Sequence, residues 1–259
     1  MICPDRVVRN FSRDPAAYER QARAQRRAAA SLAGCIVAHF AGRPPPARIL
    51  ELGCGTGFLS RRIATAWPDA DLTLSDISPA MVEFCRLRLH RACRNRSGQI
   101  DFAVCNAADT IPDGPFDLIT AALMAQWTPG LTPMLSRWRR QLSPTGAIAF
   151  STLTADTFAD IRTHFAAVGV PFPAPALPTP GELSASITAA GFPIALWQPE
   201  IRREHHPSLR EFLRHLRSVG AGNAVAPHLS PTQLRRVLRH CAQTRITATY
   251  RIVNAILRG

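Results

Sequence analysis

A chain of 259 residues that is 46% hydrophobic and 19% charged can bury a sizeable core, which excludes the disordered class and fits one large domain or one domain with an elaborated lid. No apolar run reaches transmembrane length, and the start MICPDRVVRNFSRD is too charged for a secretory signal, so a soluble, cytoplasmic protein is expected. The 31 basic residues, all arginine, outweigh 18 acidic ones to give +13; coding bias explains arginine replacing lysine but not that excess, which points to an anionic partner.

Asp14-Pro15 opens a helix, with the aspartate as cap and the proline at the first position. The Ala/Arg/Gln-rich stretch 16–40 consists of strong helix formers, and the prolines at 44–46 stop it. A strand at 48–52 runs straight into a glycine-rich loop, and a helix at 58–67 ends before Pro68. A strand at 72–74 leads to Asp76, and Ser78-Pro79 caps a helix reaching about residue 93. Strands at 100–105 and 116–123, a helix at 131–142 and a strand at 146–152 follow. A helix at 156–168 precedes the proline-dense stretch 171–180, read as an ordered loop. A short helix at 182–190 ends at Gly191; a strand at 194–197, helices at 208–219 and 231–241 and a partly alternating strand at 247–256 complete the chain. Strands alternating with helices predict an α/β, doubly wound parallel sheet with right-handed crossovers.

Seven cysteines, at 3, 35, 54, 85, 93, 105 and 241, form no C-x-x-C pair and no zinc-ligand spacing with histidine, so reduced thiols and no metal are expected. His205-His206 completes no ligand spacing either, because adjacent side chains of an extended segment face opposite sides.

The informative motif is Glu51-Leu52-Gly53-Cys54-Gly55-Thr56-Gly57, which follows a predicted strand and opens a predicted helix. Glycines let the backbone turn tightly and approach a ligand. Asp76 closes the next predicted strand, where a carboxylate can accept hydrogen bonds from ribose hydroxyls. The spacing is G-x-G-x-G rather than the G-x-G-x-x-G of dinucleotide-binding proteins. With Glu51 before it and Asp76 after it, the motif resembles that of class I methyltransferases, which implies their Rossmann-like sheet and S-adenosylmethionine as cofactor.

Further motifs, in order along the chain, resemble the malonyl-acyl-carrier-protein O-methyltransferases of biotin synthesis. Phe11, Tyr18 and Gln25 stand at that family's spacing ahead of the sheet. Asp76-Ile77-Ser78-Pro79-Ala80-Met81 and Phe116-Asp117-Leu118-Ile119, leading to Gln126-Trp127, match its second-strand and substrate-side motifs. Phe150-Ser151-Thr152-Leu153 and Ala190-Gly191-Phe192 also fit. Val219-Gly220-Ala221-Gly222-Asn223 and Ala248-Thr249-Tyr250 resemble its lid and last strand and are the most discriminating. Two positions depart: Ala107 replaces an aspartate in the run Asn106-Ala107-Ala108-Asp109, and Ala122 replaces an asparagine.

The resemblance implies a helical cap over 1–46 and a methyltransferase domain over 47–259, with a helical lid at about 202–245 before the last strand. It implies that Glu51, Gly53, Cys54, Gly55, Gly57, Asp76, Ile77, Asn106 and Ala107 contact the cofactor. Tyr18 would close over the reacting groups, Gln126 and Trp127 would stand at the substrate side, and Arg217 would pair with the substrate carboxylate. The reaction implied is methyl transfer to the free carboxylate of malonyl-acyl carrier protein, in the early pimeloyl part of biotin synthesis. A carboxylate is ionised at neutral pH and needs no general base, so positioning and exclusion of water should carry catalysis. Carrier proteins are acidic, and ten arginines against two acidic residues over 202–251 would complement them.

Three other readings compete. A carboxyl methyltransferase for a small acid such as aconitate shares the glycine loop and a Gln-Trp loop. A nucleic-acid methyltransferase would explain the charge, but the Asn/Asp-Pro-Pro-aromatic motif of the amino methyltransferases is missing and no separate RNA-binding module is visible, so neither nucleic acid nor membrane is an expected partner. A non-catalytic protein that binds an acidic partner and has a degenerate cofactor site would account for Ala107 and Ala122.

Overall fold

The computed structural model describes residues 4–93, 96–174, 176–221 and 229–259. Among them, seven strands form one sheet: β1 (Arg48–Leu52), β2 (Asp71–Asp76), β3 (Ile100–Val104), β4 (Phe116–Ala122), β5 (Leu142–Leu153), β6 (Ile194–His206) and β7 (Ile246–Arg258). Their order is β3-β2-β1-β4-β5-β7-β6. Strands β1 to β5 are parallel. The parallel prediction fails at β7, which inserts antiparallel between β5 and β6. The chain winds outward from β1 to β3 and then returns to β4 on the other side of β1. That reversal opens a crevice at the carboxyl ends of β1 and β4, the usual ligand position in open α/β sheets.

Helices cover both faces. α3 (Arg23–Phe40), α4 (Ser60–Ala66) and α5 (Pro79–Ala92) lie on one, α6 (Leu131–Arg139) and α8 (Pro180–Ala189) on the other. Alternation along β1 explains why Ile49, Leu50 and Leu52 are all apolar: Ile49 packs in the cluster of Leu32, Ile36 and Ile63, whereas Leu50 and Leu52 join Leu135, Trp138 and Ile187. A third cluster joins β7 to α7 (Ala159–Ala166), α9 (Leu209–Ser218) and α10 (Pro231–His240).

Three elements differ from expectation. The expected long N-terminal helix is two, α2 (Pro15–Gln21) and α3, broken at the buried Ala22, and a further helix, α1 (Pro4–Ser12), precedes them. The Asp14 carboxylate accepts from Ala17 N at 2.8 Å, as its cap role requires. The break is invisible to helix propensity because the Ala22 amide still reaches Tyr18 O at 2.8 Å and its carbonyl still accepts from Arg26 N at 3.0 Å. Helix α7 begins three residues late because Asp156 and Phe158 both have positive φ, +66° and +62°. Finally, β6 does not stop at 197 but pairs with β7 as far as His206, so 202–206, expected to begin the lid, are strand. Charges mask this strand because β6 is the sheet edge, where one side meets solvent.

Candidate active site

The glycine-rich loop leaves β1 pinned to β2: the amides of Gly53 and Cys54 both donate to Ser75 O at 2.8 Å. Gly55 has φ +53°, and a Cβ there would meet only the Tyr18 ring, at 3.9 Å, on the edge of a cavity. Gly57 needs its hydrogen for another reason, since a Cβ would lie 3.1 Å from Cys85 Sγ. Asp76, at the end of β2, accepts from Gly55 N and Ser78 N, one per carboxylate oxygen, each at 2.9 Å. Burial raises its carboxyl above the usual range while the amides of Ser78, Gly55 and Ile77 pull it back. The carboxylate still keeps acceptor capacity for a ligand.

A cavity of about 260 Å³ opens at the loop. Of the expected cofactor contacts, Gly53, Gly55, Asp76, Ile77, Asn106 and Ala107 line it, together with Tyr18 and Trp127. A glycine cradle, a carboxylate with spare acceptors and apolar walls from Ile77, Met81 and Phe11 suit a nucleoside bearing a charged side arm. Glu51, Cys54 and Gly57 do not line it; they are buried on the packed side of the loop. Burial pushes the Glu51 carboxyl up to about 8, offset in part by a hydrogen bond with Ser60 and reinforced by Asp76.

Ala107, in place of the expected aspartate, presents a methyl to the cavity wall. The Ala107 methyl is buried, and its carbonyl accepts from Trp138 Nε1 at 3.1 Å. Asn106 Oδ1 caps Ala108 N at 3.1 Å, and the exposed Asp109 lines the same wall. Ala122 also faces this cavity.

A second cavity of about 90 Å³ adjoins the first, and four residues, Phe11, Tyr18, Leu123 and Trp127, belong to both. Tyr18 stacks on Phe58 at 5.9 Å between centroids and meets Phe11 edge-on at 6.1 Å; Phe11 meets Trp127 at 5.6 Å. Burial, with Asp76 and Glu19 nearby, holds the Tyr18 hydroxyl protonated far above neutral pH. Leu123 is left-handed at φ +49°. Its amide donates to Ser151 O at 3.0 Å, and its carbonyl accepts from Gln126 Nε2 at 2.7 Å. Gln126 therefore lines only the second cavity, where it fixes the strained residue between the two.

Sequence motifs from distant parts of the chain converge here. Gln25, Val219, Ala221 and Tyr250 line the second cavity, and Gly220 is pressed so close to Phe11 that a Cβ would lie 2.7 Å from its ring. Gly222 and Asn223 of the lid motif lie outside the described residues.

The structure leaves Arg217 exposed and outside the described lining of either cavity. Helix α9 turns Leu209, Phe212, Leu213 and Leu216 into the core cluster, which leaves Arg210, Arg214 and Arg217 on the opposite, exposed face. The arginine in the second cavity is Arg162 of α7, which the motifs did not mark. His205 and His206 do face opposite ways: His205 meets Thr247 Oγ1 at 3.1 Å, whereas His206 packs beside His215 and Glu204. Away from both cavities, ligand atoms of His164, His240 and Cys241 lie within 4.8 Å of one another, a grouping that sequence spacing does not show.

Residues 50–148 match the family model described as a methyltransferase domain. The chain is 33% identical to the malonyl-[acyl-carrier protein] O-methyltransferase of Magnetococcus marinus, over 96% of this chain and 90% of that one. Similarity to the trans-aconitate 2-methyltransferase of Streptomyces avermitilis is 39% but spans only 40% of this chain and 38% of that one. Among solved structures, magnesium protoporphyrin IX methyltransferase of Synechocystis with bound S-adenosylhomocysteine superposes with a TM-score of 0.55 at 17% identity, covering 90% of this chain and 83% of that one. Full-length similarity to the first, with a methyltransferase sheet around a nucleoside-sized cavity, places the chain in the malonyl-[acyl-carrier protein] O-methyltransferase family of S-adenosylmethionine-dependent enzymes.

Proposed function

We propose that this enzyme methylates the free carboxylate of malonyl-acyl carrier protein, an early step of biotin synthesis. The observation that carries the reading is the shared wall of the two cavities: Phe11, Tyr18, Leu123 and Trp127 border both, so a donor in one and an acceptor in the other meet at these side chains. S-adenosylmethionine, when bound, supplies an activated methyl that passes from sulfonium to a carboxylate oxygen, leaving a thioether and a methyl ester.

The residues of the chain do the rest. Asp76 holds the ribose hydroxyls, the loop at Gly53 and Gly55 approaches the methionine arm, and Asn106 and Asp109 flank the base. Tyr18, Phe11 and Trp127 enclose the reacting groups and exclude water, which would otherwise solvate and blunt the carboxylate. The acceptor is already ionised and needs no base, so the firmly protonated Tyr18 hydroxyl serves as a donor to the acceptor rather than as a base. Exposed arginines of α9 and α10 offer the acidic carrier a complementary field.

The test is isothermal titration with S-adenosylmethionine, then methyl transfer to malonyl-carrier protein, to a free malonyl thioester and to trans-aconitate. Rapid transfer to the carrier-bound substrate and slow transfer to the free thioester is the expected result. Transfer to trans-aconitate alone would overturn the reading.

A further inference from the structure

The second cavity is mainly apolar, and of the described residues that line it Arg162 is the one cation, with no carboxylate among the others. Its polar companions are neutral: Tyr18, Gln25, Gln126, Thr157 and Tyr250. Among the described residues no acidic group reaches Arg162 at ion-pair distance, although several arginines elsewhere are paired. Its Nε is buried and has no hydrogen-bond partner, and its guanidinium sits 5.9 Å from the centroid of Phe172. An unpaired cation against aromatic and aliphatic walls is a costly arrangement unless a ligand anion completes it.

We propose that Arg162 binds the substrate carboxylate, and thereby selects acyl groups with a free terminal acid; this rests on the reading of the reaction given above. The chemistry suits the site. A guanidinium keeps the carboxylate ionised in an apolar pocket where it would otherwise take up a proton. Pairing through one carboxylate oxygen leaves the other with its lone pair to face the shared wall of Tyr18 and Trp127. Methylation then removes the negative charge, so the same arginine that holds the substrate holds the neutral ester weakly and favours its release.

The decisive comparison uses malonyl- and acetyl-carrier protein, which differ by the carboxylate. Their dissociation constants are measured on enzyme saturated with S-adenosylhomocysteine, for wild type, Arg162→Gln and Arg162→Lys, beside the transfer assay. Wild type should prefer the malonyl form by about 10²-fold, the loss expected on removing one partner of a buried charged pair. Arg162→Gln should bind the two forms alike, with unchanged affinity for the acetyl form and for S-adenosylhomocysteine, and Arg162→Lys should recover part of the preference. An equal loss for both forms, or a malonyl preference that survives in Arg162→Gln, would overturn the assignment. Absence of methyl transfer by wild type would instead overturn the reaction, and the binding comparison would still decide whether Arg162 reads a carboxylate.

Discussion

Glu51 should make the folded protein less stable as pH rises, and Glu51→Gln should abolish that dependence. The carboxyl is 2% exposed, its Oε2 has no hydrogen-bond partner, and Asp76 lies close enough to disfavour its ionisation. Burial pushes it from an ordinary 4.5 up to about 8. A raised carboxyl favours the folded state fully below pH 4.5 and loses that contribution as pH climbs through 8. At about 1.4 kcal/mol for each tenfold step in proton affinity, the whole excursion approaches about 5 kcal/mol as an upper bound. Urea unfolding of wild type and variant at pH 5, 6, 7 and 8 gives the difference directly, and the other titrating groups cancel in it. The variant should gain on wild type by about 1 kcal/mol or more per pH step, and be the more stable of the two at pH 8. Parallel curves would show that Glu51 is ionised in the folded protein, its charge stabilised by a cation or water at the loop, and would refute the buried-neutral carboxyl.

Asp76→Asn turns an amide NH₂ toward the Gly55 or Ser78 N–H that the carboxylate now accepts. Affinity for S-adenosylmethionine by calorimetry should fall about 10- to 10²-fold, because a charged acceptor and one satisfied backbone donor are lost together. Gln126→Ala frees the Leu123 carbonyl; with about 1–3 kcal/mol stored in the left-handed residue, transfer should drop about tenfold while cofactor affinity holds within about twofold, read by single-turnover kinetics and calorimetry. Replacing Arg210, Arg214 and Arg217 together by glutamate should lower kcat/KM for malonyl-carrier protein by about tenfold at low salt, less at high salt, and leave a free malonyl thioester unaffected.

What the sequence reveals is what short range decides. The glycine loop, Asp76 and the Ser78-Pro79 cap are each fixed by a few neighbouring residues, and Ser78 Oγ duly accepts from Met81 N at 3.2 Å. The long edge strand is hidden because Glu200, Arg202, Arg203 and Glu204 break its apolar pattern, so Arg202 to Glu204 read as surface although they pair with Tyr250, Thr249 and Ala248. The N-terminal break is hidden because Ala22 is a good helix former placed where burial matters more than propensity. That break has a function: it ends α2 where Tyr18 can lie over Gly55 and Phe58.

Arg217 and Arg162 differ in what the chain marks and what the fold does with them. Arg217 adjoins the lid motif, yet the same helical periodicity that buries Leu213 and Leu216 turns it to solvent. Arg162 has no marker in the chain because its place depends on two left-handed residues, Asp156 and Phe158, that are not glycine. They redirect the chain after β5, seat Phe158 against Tyr250 at 4.8 Å and Phe212 at 5.2 Å, and start α7 so that its fourth residue enters the second cavity. With 31 arginines and no lysine, residue type carries almost no information about which cation serves the site. A buried, unpartnered Nε and the lack of an acidic partner among the described residues supply it: an arginine on a solvated basic face and an unpaired arginine in an apolar cavity share a side chain, but only the second needs an anion to complete it.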